Sequence, residues 1–298
     1  MRRPRTFLTW AFLVGACAGL EAQTGPVLLD FEGAGGLNDV TGSFGTRLEL
    51  SKDHVTRQGR SLKLALPVHA YPGLEAKVNV RDWRPYDELV MDLFIDGEAP
   101  QVFGLWLKSS KVTDFTQRFN FRRRLQPGAN HIVIPLGLVG QPARKRLWGT
   151  IDRSDVTRMA IFFGDVKQPV TAYLDQVRLV TDRRPSAPAE VPENVPAFDG
   201  SVVFDFQTMG RIGRNTGFFV DLEVPLADGR VRKLSLSTGE HDTRRYTLTG
   251  RQLSGYRVGS AVLARAYYLD HCETLMCVRE VVPESGQTKH LRYAPSDF

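Results

Sequence analysis

Two stretches decide how this chain folds: Leu28-Leu29-Asp30-Phe31-Glu32 and Tyr173-Leu174-Asp175-Gln176-Val177-Arg178-Leu179. Both read as strands. Side chains alternate between the two faces of a strand, so Leu29 and Phe31 face a core while Asp30 and Glu32 face away. Asp175 instead interrupts an otherwise apolar strand, and a carboxylate placed there needs a hydrogen-bonding or charged partner. Between these bookends the apolar pattern stays short and period-two: Leu62-Lys63-Leu64-Ala65-Leu66, Leu89-Val90-Met91-Asp92-Leu93-Phe94-Ile95, Val102-Phe103-Gly104-Leu105-Trp106-Leu107-Lys108, Met159-Ala160-Ile161-Phe162-Phe163. Gly, Pro, Asn and Asp break it roughly every 8 to 12 residues, the spacing of an all-β sandwich or barrel. No stretch carries a convincing amphipathic-helix pattern.

At the start of the chain, Arg2, Arg3 and Arg5 precede an apolar run from Phe7 to Ala18. That run is too short for a bilayer span of roughly 20 residues, and residues 1–22 read as a secretory signal peptide cleaved after Ala22. Val14-Gly15-Ala16-Cys17 also matches a bacterial lipobox. By that route Cys17 is lipidated, and the lipid is the one membrane attachment expected; by the other, Cys17 is an apolar residue of the signal. Either route exports the protein, to the periplasm, the outside of the cell or the outer membrane as a lipoprotein. The formal net charge of +6 is mild and spread along strands and turns, which argues against nucleic acid as a partner.

After the bookends the composition shifts to Pro, Ala and charge, and residues 183–197 read as a semi-rigid linker, because each Pro removes a ladder donor. A smaller β domain follows over 198–298, with Asp228-Gly229 marking a hairpin. The expected architecture is thus all-β: a jelly-roll β-sandwich over residues 23–182, then a second, smaller β-sandwich-like domain. In that domain Cys272 and Cys277, with four residues between them, point to a local disulfide in an oxidising compartment. With His271 they still lack a fourth ligand for zinc.

The ordered set of segments between the bookends carries a resemblance: His54-Val55-Thr56-Arg57-Gln58-Gly59-Arg60-Ser61, Tyr71-Pro72-Gly73, Asp82-Trp83-Arg84-Pro85-Tyr86-Asp87 and Leu125-Gln126-Pro127-Gly128-Ala129-Asn130. Residues 26–181 resemble the jelly-roll carbohydrate-binding modules of the galactose-binding-like fold and the related complex I intermediate-associated family. The resemblance implies a structural Ca²⁺ held by Glu32 and Asp175, with carbonyl oxygens from the turn 56–61, since Ca²⁺ prefers such ligands. The alternative without metal pairs Glu32 with Arg60 or Arg178.

No nucleophile elbow, metalloprotease helix or phosphate loop is present, and no pair of acids stands out as the two carboxylates of a glycosidase. Sugars stack on aromatic rings while amides, carboxylates and guanidinium groups read their hydroxyls. Alternation sends Phe103, Leu105 and Leu107 to the core and Trp106 and Lys108 away from it. The next strand sends Arg118, Asn120 and Arg122 the same way, opposite Phe119 and Phe121. The expected ligand surface is therefore a groove of Trp106, Lys108, Arg118, Asn120 and Arg122, and the expected function is exported, non-catalytic binding of a polysaccharide or other glycan. A polysaccharide hydrolase or lyase with an unrecognised site, and a protein-binding scaffold or assembly factor, are the alternatives.

Overall fold

A computed structural model describes residues 25–33, 35–57, 59–113, 118–139, 151–182, 184–191, 193–207, 209, 216–236, 244–270 and 273–298. The signal segment 1–22 and Cys17 lie outside these residues. The strands are β1 (Val27–Leu29), β2 (Val40–Ser43), β3 (Arg47–Ser51), β4 (Ser61–Leu66), β5 (Gly73–Lys77), β6 (Glu88–Asp96), β7 (Gln101–Ser109), β8 (Phe119–Leu125), β9 (Gly128–Pro135), β10 (Val156–Gly164) and β11 (Val170–Val180) in the first part of the chain. They continue as β12 (Ser186–Ala187), β13 (Gly200–Asp205), β14 (Thr216–Pro225), β15 (Val231–Leu236), β16 (Arg245–Leu248), β17 (Val262–Asp270), β18 (Glu273–Val281) and β19 (Gln287–Arg292). Among the described residues the helical elements are short 3-10 turns, such as Leu136–Val139. The fold is all-β, a jelly-roll sandwich followed by a smaller sandwich.

In the first sandwich one layer runs β3-β4-β11-β6-β9, with β1 also on β11. Its inward rows, such as Leu62, Leu64, Met91, Leu93 and Leu174, meet Phe103, Leu105, Phe121, Ile161 and Phe163 from the facing layer, β8-β7-β10-β5-β2. Burying each such side chain contributes about 1.5–3 kcal/mol. The facing layer does not end at β8. Parallel pairing of Thr274 with Phe121 and Leu275 with Arg122 joins β18 to β8, giving one ten-stranded sheet, β12-β15-β14-β17-β18-β8-β7-β10-β5-β2.

Alternation along the joined strands then divides two cores between opposite faces of that sheet. Phe219, Tyr267, Leu269 and Met276 enter the first core. Their neighbours Val220, Ala266 and Cys277 enter the second, which the three-stranded sheet β16-β13-β19 closes with Val202, Phe204 and Tyr293.

One expectation needs correction. The proline-rich stretch does pair: Ser186 and Ala187 lie parallel to Val231 and Arg232. They sit between Pro185 and Pro188 at the sheet edge, where a missing N–H disturbs no ladder, and the Pro185 carbonyl accepts from the Val231 amide at 2.9 Å. Cys277 is a free, buried thiol in the extended strand that starts at Glu273, and Cys272 lies outside the described residues.

Where the segment leaves β11, an ion network ties it to the second half. Asp182 accepts from Arg184 Nη2 at 2.8 Å and from Lys233 Nζ at 2.6 Å. The carboxylate of buried Glu223 bonds Arg184 at 2.5 Å and Arg265 at 2.6 Å. Burial pushes both carboxyls up, but these cations more than offset it and hold both below the ordinary carboxylate range. Glu88, buried at the start of β6 within the field of Arg265 and Asp182, goes the other way: burial raises it.

Candidate functional site

The two bookend carboxylates do converge on the turn after β3. Asp175, only 4% exposed, sits where β11 bulges: the pairing slips between Asp175 and Arg178, and Gln176 takes a φ of 56°. Its Oδ2 accepts from the Thr56 amide at 2.8 Å, the Thr56 hydroxyl at 2.9 Å and the Arg57 amide at 3.2 Å. Its Oδ1 accepts from the Gln176 amide at 2.7 Å. Glu32 accepts from the amides of Gly59 at 2.8 Å and Arg60 at 3.2 Å.

Calcium needs six to eight oxygens. Here the turn offers the carboxylates N–H groups rather than carbonyls, and among the described residues no group of three or more His, Cys, Asp or Glu converges. As arranged, these residues do not fit the expected Ca²⁺ shell. They form a clamp in which charge-assisted hydrogen bonds offset the burial of Asp175.

On the far side of the sandwich, the outer face of β8, β7, β10 and β5 carries the expected groove. Trp106 stands opposite Asn120 on one side and Ala160 on the other. It stays out of the core cluster that takes Phe103, Leu105 and Leu107. It is nonetheless only 8% exposed, because Lys108 Nζ and the Arg118 guanidinium lie over its ring at 5.2 and 5.1 Å. Arg118 Nε also donates to Asn120 Oδ1 at 2.7 Å. The fifth residue, Arg122, bonds Glu273 of β18 at 2.8 Å. All five expected groove residues share this face.

The sequence reading missed the second ring of the floor. Phe162, in the outward row of β10, pairs across to Gly104 and Gly73. A Cβ at Gly104 would come within 2.2 Å of the Phe162 ring, so glycine there lets the ring lie flat on the sheet. Tyr71 meets Phe162 edge-on at 5.9 Å, and Arg122 lies 5.7 Å from the Tyr71 ring centre and 5.9 Å from that of Phe162. The signal was available: Met159, Ile161 and Phe163 alternate inward, which leaves Phe162 outward.

A separate cleft of about 450 Å³ opens on the outer face of the other layer, lined in part by His54, Thr56, Asp92, Phe94, Asn130 and His131. His54 stacks on Phe94 with ring centres 3.5 Å apart. Asp92 accepts from Thr56 Oγ1 at 3.0 Å and bonds His131 Nδ1 at 2.7 Å. Burial raises the Asp92 carboxyl, but His131 and Thr56 bring it below the ordinary range. The grouping is not a nucleophile–base pair: the hydroxyl bonds the carboxylate, whereas acyl transfer needs it on the imidazole.

No family model matches the chain, and no curated protein does. Among solved structures, the chain is similar to an exo-β-agarase at 17% identity and a TM-score of 0.44, over 52% of this chain and 25% of the agarase. It therefore spans about a quarter of that enzyme. It is also similar to a family 11 carbohydrate-binding module of Clostridium thermocellum, crystallised with a β-1,3-1,4-mixed-linked tetrasaccharide. That match has 17% identity and a TM-score of 0.39, over 53% of this chain and 96% of the module. A C-terminal family 22 carbohydrate-binding module of the same organism is 17% identical with a TM-score of 0.36, over 55% of this chain and 98% of the module.

Proposed function

We propose that this is an exported, non-catalytic glycan-binding protein whose ligand lies along the Trp106–Phe162 groove. The observation that carries the reading is a sheet face with two aromatic rings on a floor of small residues (Gly104, Ala160, Gly73), bordered by Asn120 and guanidinium groups. Rings take the apolar faces of sugars and the polar border takes their hydroxyls. The His131–Asp92–Thr56 geometry supports a non-catalytic role as far as that cluster is concerned.

Retention on a panel of insoluble polysaccharides tests the reading. The full chain should bind at least one of them and release no reducing ends. Trp106→Ala should weaken that retention by about tenfold or more, since one stacked ring contributes roughly 1–3 kcal/mol. Retention unchanged by Trp106→Ala would overturn the reading. Export is tested separately by fractionation, with the processed chain expected outside the cytoplasm.

A further inference from the structure

The face that carries the groove is strongly one-signed. The strand registers place Lys108 beside Arg158, and Arg158 beside Lys77, along one border of the floor. Along β8, Arg122 and Arg124 face out next to Gly104 and Val102, and Arg118 lies over Trp106. Against these cations stand Glu75, in the row of Trp106 and Ala160, and Glu273, which is engaged by Arg122. Among the described residues no carboxylate lies within ion-pair distance of Lys77, Lys108, Arg124 or Arg158, although ion pairs of that kind are common elsewhere on the chain.

Like charges gathered on one face repel one another and focus a positive potential into the trough between them. A neutral sugar gains nothing from such a field. Carboxylate and sulfate groups gain most, because guanidinium matches their planar or tripodal oxygens with paired N–H donors. Arg122 and Arg124 are two strand residues apart, about 7 Å. The floor from β8 to β5 crosses three strand intervals, about 14 Å, enough for a short run of sugars over Trp106 and Phe162.

We infer that the ligand of the Trp106–Phe162 groove is a polyanionic polysaccharide, carrying uronate or sulfate groups, and that the Lys and Arg border reads its charge while the rings read its sugar faces. The inference rests on the glycan-binding reading above and narrows it to one chemical class.

Affinity electrophoresis or calorimetry on the full chain decides it with five probes: polygalacturonate, alginate, a sulfated galactan, a neutral mixed-linked β-glucan and oligo(dT). At least one acidic glycan should bind about tenfold or more tighter than the neutral glucan, and should lose about tenfold in affinity between low and physiological salt as released counterions and screening take effect. The first two probes against the third separate carboxylate from sulfate as the favoured group. Lys108→Gln combined with Arg158→Gln should weaken acidic-glycan binding about tenfold at an unchanged melting temperature.

Neutral glucan bound as tightly as the acidic probes, without salt dependence, would overturn this inference and leave the glycan reading standing. No glycan bound at all would overturn both, as would oligo(dT) bound more tightly than any glycan. Acidic-glycan binding that survives Trp106→Ala at full strength would mean plain ion exchange, and the inference would fall.

Discussion

On β14 and β17 the face of the long sheet that carries Val220, Leu222, Ala264 and Ala266 lies under the three-stranded sheet. On β7, β8 and β10 the same face carries Trp106, Arg122 and Phe162, and among the described residues no sheet is stacked on it. The difference lies in the side chains and not in the backbone. Small and branched apolar residues invite a covering layer, because burying them is favourable. Cations and aromatics set over glycine and alanine resist one, because a covering layer would have to desolvate the charges.

The contrast should be largest in stability. Leu222→Ala, in the covered half, is expected to cost about 2–5 kcal/mol, whereas Phe162→Ala, in the bare half, should cost about 1 kcal/mol or less. Urea unfolding of the two variants measures both, and equal costs would mean that the groove floor is covered after all. The clamp on the opposite layer sharpens the comparison. Asp175→Ala strands the amides of Thr56, Arg57 and Gln176 and should cost about 2–3 kcal/mol without changing glycan retention, the reverse of Trp106→Ala. Its melting temperature, like that of the native chain, should be indifferent to calcium and to chelator. A calcium-dependent rise in the native chain that Asp175→Ala abolishes would restore the metal.

Smaller effects belong to the junction between the halves. Asp182 and Glu223 have folded pKa values below their unfolded ones. The stability they contribute is therefore present above about pH 4 and is lost as pH falls through the folded values. Asp182→Asn should flatten that acid limb in a pH series of melting temperatures. Glu88 has the opposite sign, with its folded pKa raised: its contribution is present below the unfolded pKa and is lost as pH rises through the folded one. Glu88→Gln should then raise the melting temperature at pH 8 and leave it unchanged in acid, below the ordinary carboxylate range.

What could be read from the sequence was whatever depends on alternation. Period two placed Trp106, Lys108, Asn120 and Arg122 on one outward face, while the family resemblance set Asp175 and Glu32 against the turn at 56–61. Alternation says nothing of which backbone groups a turn presents, so expected carbonyls proved to be the amides of Thr56, Gly59 and Arg60. The pairing of β18 with β8 links residues more than 150 positions apart through two register pairs, with no local signal of its own. The sheet that the two halves share was not legible.

That short parallel pairing bears on how the chain avoids sticking to itself. Cut between the modules, the first would end in β8 and the second in β18, each a free strand edge with unpaired amides and carbonyls ready to template a stranger. In the intact chain each edge shields the other, and Leu269 and Met276 fill space in a core that the first module would otherwise leave partly empty. Production of residues 23–182 alone should therefore yield a protein that self-associates, and the second half acts toward the first as a built-in guard against aggregation.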